Sequence, residues 1–241
     1  MRFAVIADIH GNRWALEAVL ADIERRRVDA VVNLGDHLYG PLDVRGTMDL
    51  LLKLNATSIR GNQDRELLED PKDSDSRTLR ENRAELRTQD LRWLRELEPA
   101  KDWHNTLACH GTPRADNVYL LEEVTATGVF LKSAAQIEHD LEGEEHEPIL
   151  RGHSHLPRTI QAGQRVVINP GSVGLPAYSD DLPFPHKMET GSSHARYAIV
   201  DGPEIEHIQL KYDWESASRT ALTNGREDWA YALRTGRAAS P

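Results

Sequence analysis

One cysteine, Cys109, stands in 241 residues, so no internal disulfide can staple the chain. That usage fits a reducing compartment. No apolar run approaches the roughly 20 residues a membrane helix needs; the expectation is a soluble, cytoplasmic protein with no membrane partner. Basic clusters are missing too. Asp plus Glu outnumber Lys plus Arg by 39 to 29, for a formal charge of −10, and no Lys/Arg track could release counterions along DNA or RNA. Long nucleic acids are therefore not expected as partners. A small anionic substrate stays compatible, because bound divalent cations dominate the field inside a pocket. Internal repeats and low-complexity tracts are absent. At this length a single domain over residues 1–241 buries an adequate core unaided.

What the sequence does hold is an alternation of strand-like and helix-like segments, the pattern of a layered α/β protein. Met1-Arg2 runs straight into Phe3-Ala4-Val5-Ile6-Ala7, too short for a signal h-region, which reads as a first strand. Trp14, Leu16, Val19, Leu20 and Ile23 then recur at helical spacing. A second strand is expected at 30–34, a helix at about 43–54 and a third strand at 56–60. Residues 65–100, dense in Asp, Glu and Arg, read as one or two amphipathic helices beside a loop at 70–75. Short strands are expected at about 103–109, 148–151, 158–161, 165–168, 195–200 and 204–212, the last two joined by a turn at Asp201-Gly202-Pro203. Their succession without helices suggests an antiparallel second sheet. Residues 112–132 and 174–194 take no assignment. The second stretch, with Tyr178, Asp180 and His186, is long enough for a lid or for a subunit contact in a homo-oligomer, and equally suits a passive loop.

Five turns carry the chemistry: Asp8-Ile9-His10, Gly35-Asp36, Gly61-Asn62-Gln63-Asp64, Cys109-His110-Gly111 and Gly152-His153-Ser154-His155. Four follow an apolar, β-branched run directly, and open α/β sheets build sites just past the carboxyl ends of their strands. Together they supply donors for two metal ions. Asp36, alone after a glycine, is the candidate bridging carboxylate. Asp8 and His10 offer an anion and a neutral imidazole from one loop, as His153 and His155 offer two imidazoles, while Asn62 offers a carbonyl oxygen. Glycines at 35, 61, 111 and 152 permit tight backbone beside the ions. Taken singly, each motif occurs by chance in many proteins; their order and placement carry the weight. Asn12 and Arg60 adjoin these turns and are candidate phosphate contacts, although Arg60 could equally pair with an acidic neighbour. His37 is a candidate acid in the pocket or a structural residue, and Cys109 is expected to pack inside a strand.

In that order the chain resembles the calcineurin-like metallophosphoesterase superfamily, with its D-x-H, G-D, G-N-H-[DE], lone His and G-H-x-H pattern. The Asn169-Pro170-Gly171-Ser172-Val173-Gly174 segment looks most like the small bacterial and archaeal phosphodiesterase branch. The resemblance spans about residues 2–212, leaving 213–241 as a C-terminal extension. It implies an α/β/β/α four-layer sandwich with two mixed sheets. It also implies that Asp8, His10 and His155 hold one divalent ion and Asn62, His110 and His153 the other, with Asp36 between them. Mn²⁺ is the first choice, with Fe²⁺, Zn²⁺ and Ni²⁺ as alternatives. The implied activity is hydrolysis of a small phosphodiester by a water or hydroxide bridging the two ions. A phosphomonoesterase, a dinucleoside-polyphosphate hydrolase, and a non-catalytic scaffold like the retromer subunit of this superfamily are the alternatives. Asp36, Asn62 and Asp64 are the residues assigned to catalysis, Asp64 by orienting its neighbours. One position departs from the pattern. Gln63 stands where the family has a histidine thought to protonate the leaving group or hold the phosphoryl oxygen, and glutamine donates a hydrogen bond but no proton at useful pH.

Overall fold

The computed structural model describes residues 1–69 and 76–239, so the loop expected at 70–75 lies outside the described residues. Its first strand, β1 (Arg2–Ile6), alternates between two cores. Ala4 and Ile6 join one apolar cluster, while Phe3, Val5 and the following Ala7 join another. This is the two-residue period of a strand buried on both faces. Helices close the first cluster. α1 (Arg13–Arg26) lays Leu16, Val19 and Ile23 on it. α2 (Val44–Leu51) adds Val44, Met48 and Leu51, one amphipathic stripe. Both helices start on side-chain caps: Asn12 accepts from the Ala15 amide and Asp43 from the Gly46 amide, satisfying donors that a helix leaves unpaired.

β2 (Ala30–Asn33) and β3 (Thr57–Ser58) extend the first sheet parallel to β1. After β3 come α3 (Asn62–Glu66), α4 (Arg77–Glu85) and α5 (Thr88–Glu96), the amphipathic stretch expected there. The single strand expected at 103–109 is instead a hairpin, β4 (Ala100–Trp103) with β5 (Thr106–Cys109), turning at His104 and Asn105, which both take positive φ. Residues 112–132 hold a second hairpin, β6 (Glu122–Thr125) with β7 (Gly128–Leu131), and α6 (Ala134–Asp140) follows. That excursion returns the chain to lay β8 (Ile149–Leu150) parallel to β5. β10 (Arg165–Asn169) is in turn parallel to β8, and β9 (Arg158–Ala162) is antiparallel at the edge. The second sheet is therefore mixed, in the order β4-β5-β8-β10-β9, not antiparallel.

Residues 174–194 form the hairpin β11 (Ala177–Asp180) with β12 (His186–Glu189). The expected strands at 195–200 and 204–212 are β13 (Ala195–Asp201) and β14 (Glu204–Leu210). They join the first sheet, in the order β14-β13-β1-β2-β3, since β13 pairs antiparallel with β1. Between the sheets Val5, Ala7, Val32 and Leu34 meet Ala108, Leu150 and Ile168. Outside the second sheet Leu107, Cys109, Ile149 and Val167 pack on Ile137 and Leu141 of the α6 segment. The layers run helices, sheet, sheet, helix. α7 (Trp214–Thr223) and α8 (Glu227–Thr235) pack together through Ala217, Ala221, Ala230 and Leu233 and cover Leu42, Leu175 and Ala177. Among the described residues no helix is long and apolar enough to cross a membrane.

Candidate metal centre

The carboxyl ends of β1, β2, β5 and β8 meet at one end of the sandwich, and each delivers donors. Asp8 and His10 follow β1, Asp36 follows β2, Asn62 opens α3 just past β3, His110 follows β5, and His153 and His155 follow β8. Five of these residues hold left-handed backbone: Asp8 (φ 55), His10 (53), Asp36 (54), His153 (67) and His155 (60). Each such non-glycine residue costs roughly 1–3 kcal/mol and persists only when its surroundings dictate it. Gly61 is required for a different reason. A Cβ there would lie 2.2 Å from Asp36 Oδ1, so only glycine lets the β3 turn close onto that carboxylate.

The donor atoms of Asp8, His10 and His155 lie within 4.8 Å of one another, and so do those of Asp8, Asp36 and His110. Asp8 belongs to both groups; the family pattern gives the bridging place to Asp36, which here adjoins His110 at 3.4 Å. His153 borders the second group, its ring centroid 5.3 Å from that of His110. Three imidazoles are fixed alike. His10 Nδ1 donates to Tyr39 O at 3.0 Å, His155 Nδ1 to Leu175 O at 2.7 Å, and His110 Nδ1 to Leu34 O at 2.7 Å. A carbonyl only accepts, so Nδ1 carries a proton and Nε2 is turned into the site in all three, with a free lone pair on neutral His10 and His155.

That arrangement tests whether a cation fits. His10 Nε2 and His155 Nε2 face each other at 3.0 Å, lone pair to lone pair. Two nitrogens each about 2.1 Å from one ion and about 90° apart would stand about 3.0 Å from each other. Asp8 Oδ2 and Asn62 Oδ1 are buried with no hydrogen-bond partner, a costly state for polar atoms unless they coordinate; His110 Nε2 has only the Asp36 carboxylate, 3.4 Å away. Asn62 Oδ1 is left free because the side chain's hydrogen bond goes to Glu66. The donors fit divalent cations, and mixed nitrogen and oxygen ligation suits Mn²⁺, Fe²⁺, Zn²⁺ or Ni²⁺.

Electrostatics divides the ligands. Burial lowers the basicity of His10, His153 and His155, which keeps them neutral and ready to ligate. Burial also pushes the Asp8 carboxyl up to about 7, with His110 opposing and Asp36 adding to the rise. For His110 and Asp36 burial is again the largest influence, but their facing charges outweigh it. His110 is pushed up to about 9, and Asp36 is held well below the usual carboxylate range. A cation entering beside His110 must therefore displace a proton.

Behind the site, Asp64 is fully buried and spent on positioning. Its Oδ2 accepts from the amides of Asp36 (2.9 Å) and Gly61 (2.9 Å) and from His37 Nδ1 (2.7 Å), and its Oδ1 from the His37 amide (2.9 Å). His37 is thereby tied to Asp64, with its ring edge on Trp93, and does not line the cleft. Asn12 is also occupied elsewhere, donating to Gly174 O and the Tyr212 hydroxyl while it caps α1. Arg60 lies outside the cleft lining; its amide bonds Glu98 O, and its guanidinium has no hydrogen bond or ion pair among the described residues. Gln63 does line the cleft; its backbone N–H donates to Asp36 Oδ1 at 2.9 Å, and its side-chain Oε1 is buried without a partner. Burial pushes the Cys109 thiol up to about 12, so it is no nucleophile.

Sequence reasoning missed several neighbours. Glu66 sits one helical turn past Asn62, an i, i+4 spacing that was readable. Tyr178 contacts His155 edge-on at 4.6 Å and Tyr119 stacks on His153 at 4.7 Å, both from the stretches left unassigned. Tyr178 and Asp180 line one wall of the cleft, and Arg226, Asp228 and Trp229 of the C-terminal segment line another. No local signal marks these last three.

The calcineurin-like phosphoesterase superfamily domain matches residues 1–184. An uncharacterized protein of Methanocaldococcus jannaschii is 25% identical over 254 residues, covering 94% of each chain. Two crystal structures share the fold. One is a metallophosphoesterase from Sphaerobacter thermophilus, with TM-score 0.74, 22% identity, and coverage of 95% of this chain and 100% of that one. The other is a hypothetical protein from Pyrococcus horikoshii, with TM-score 0.77, 21% identity, and 99% of each chain covered. With the domain matched over most of its length and the donor turns in family order at the strand ends, the chain belongs to the calcineurin-like phosphoesterase superfamily, hydrolases of phosphoric esters.

Proposed function

We propose that this protein is a phosphodiesterase that hydrolyses a small diester with two divalent ions, Mn²⁺ foremost. The observation that carries this reading is the pair of donor groups sharing Asp8, bordered by a cleft, with Asp8 Oδ2 and the neighbouring Asn62 Oδ1 buried and without a hydrogen-bond partner. When bound, two such cations supply an acidified water and a positive field for the phosphoryl oxygens. The protein's part is to hold donors in place. Asp8, His10 and His155 form one ligand group; Asp36 and His110, with Asn62 and His153 beside them, form the other. Glu66 orients the Asn62 amide, and Asp64 fixes the loop that carries Asp36.

Gln63 supports the choice of substrate class. Its amide reaches the cleft and can donate a hydrogen bond to a phosphoryl oxygen, but it delivers no proton to a departing alkoxide. Esters whose leaving group departs as a stable anion are favoured. A phosphomonoesterase or dinucleoside-polyphosphate hydrolase with its own acid would show rates insensitive to leaving-group basicity, and a series of aryl and alkyl diesters separates the cases.

The first test is hydrolysis of bis-p-nitrophenyl phosphate by metal-stripped protein before and after Mn²⁺ is added, with Asp36→Asn alongside. Turnover is expected only with metal, and Asp36→Asn is expected to remove it. Stoichiometric metal without turnover on any diester would point instead to a metal-binding scaffold for a protein partner.

A further inference from the structure

The candidate histidine ligands share a way of being held. His155 has a carbonyl on Nδ1 and the edge of Tyr178 against its ring; His153 bonds the Asn117 backbone and stacks on Tyr119. His10 follows the same plan with one difference in origin. Its carbonyl is that of Tyr39, but its aromatic partner is Trp229, in α8, beyond the region the superfamily domain covers.

The contact is close and specific. The Trp229 ring stands 5.7 Å from the His10 ring at 80°, an edge-to-face pair, and the indole is 6% exposed. Residue 40 is glycine where the two meet: a Cβ there would lie 2.5 Å from His10 O and 2.9 Å from Trp229 Cζ3. On its other side Trp229 is backed by Arg226, whose guanidinium carbon lies 5.4 Å from the ring centroid. Arg226 is itself latched, with Nε and Nη2 on the Asp228 carboxylate at 2.9 and 2.7 Å and Nη1 on Thr78 Oγ1 of α4 at 2.8 Å. Trp229 also belongs to the apolar cluster in which Ala217, Ala221, Ala230 and Leu233 pack α7 on α8, so the Leu233 variant separates that covering role from the contact with His10. A carbonyl on Nδ1 fixes where one ring atom points but leaves the ring free to rock about that bond; a second ring packed edge-to-face against it restricts that freedom.

We propose that Trp229 is a positioning residue for His10, and that the C-terminal helix pair thereby sets how tightly the Asp8–His10–His155 group holds a divalent ion. The inference rests on the reading of His10 as a metal ligand, and the test separates the two.

Metal-free wild type, Trp229→Ala, Trp229→Phe and Leu233→Ala are titrated with Mn²⁺ by calorimetry, and each is melted without metal. Trp229→Ala is expected to weaken one of two bound ions by about 10–100-fold, the range for losing a group that orients a ligand, while the other ion is unaffected. Trp229→Phe should recover most of the affinity. Leu233→Ala should lower the melting temperature yet leave both affinities intact. Where Trp229→Ala does not fold, Trp229→Leu keeps the bulk without the flat edge and carries the same expectation. Unchanged affinities in the Trp229 variants, or an equal loss in Leu233→Ala, would overturn the inference and leave the metal centre standing. A wild type that binds no Mn²⁺ would overturn both.

Discussion

The strand-end loops and the C-terminal helices are built on opposite terms. In the loops, five side chains sit on left-handed backbone, polar atoms are buried without partners, and two imidazole lone pairs face each other. In α7 and α8 the buried positions are Ala217, Ser218, Ala221, Trp229, Ala230, Ala232 and Leu233, on ordinary helical backbone. At roughly 1–3 kcal/mol for each strained residue, the loops together cost an amount comparable to the whole stability of a typical domain. The loops are organised by where they aim donor atoms, the helices by what they cover. Substitutions in the first should cost function more than stability, and in the second the reverse, with Trp229 as the point where the two meet.

The sharpest break of that contrast after Asp36→Asn is Asp64→Asn. The carboxylate accepts four hydrogen bonds, and an amide has only one oxygen to offer, so the Asp36 loop loses its fixed position. Metal affinity and turnover should fall about 10–100-fold, read by Mn²⁺ titration and diesterase assay, while circular dichroism stays that of the folded protein. A variant that kept full affinity would mean that the loop needs no such support. On the opposite side, Leu233→Ala should cost about 2–5 kcal/mol in denaturant unfolding, as deleting a buried leucine generally does, with turnover per folded molecule unchanged.

Within the loops, Asp8→Asn separates metal-free stability from metal binding. Asp8 is raised to about 7 from 3.8, and His110 to about 9 from 6.5. Both bind protons more tightly folded than unfolded, so each stabilises the metal-free protein fully below its unfolded value and loses that contribution as pH rises through its folded one. Their joint contribution should therefore decline from about pH 4 to pH 9; below about 6.5 it is opposed by His10, His153 and His155, whose lowered basicity makes the unfolded chain bind more protons, so the net decline of metal-free stability falls between about pH 6.5 and 9, where depressed Asp36 contributes no change. Replacing Asp8 with the neutral amide should remove its share of the decline, which runs from about pH 4 to about pH 7, and raise stability at pH 8, while weakening metal binding. Thermal melts across pH with and without Mn²⁺ check both signs, because bound metal should reverse the trend.

The same contrast explains what was legible in the sequence. Donor turns announce themselves through residue type: Asp8, His10, Asp36, His110, His153 and His155 follow apolar runs, and a strand end gives each a common destination. Layering was legible as well, from alternation such as Phe3, Val5 and Ala7 against Ala4 and Ile6. Partner choice among short strands was not. Nothing local tells β13 to pair with β1, or β5 with β8, because those pairings are settled by sheet edges far away in the chain. The turn at His104 and Asn105 escaped notice because it uses left-handed backbone without a glycine. Asn12 and His37 looked like pocket residues by adjacency alone, whereas burial put their polar atoms to work on a helix cap and on Asp64. Trp229 was invisible for the opposite reason: its role arises only when the end of the chain folds back onto its beginning.

The proposed function stands on a two-ion centre assembled at the strand ends. Crystals soaked in Mn²⁺ and measured at the manganese absorption edge test it directly. Two anomalous peaks are expected, one beside Asp8, His10 and His155 and the other beside Asp36 and His110. A fully occupied soak with no peak there, or with a single ion away from these residues, would contradict it.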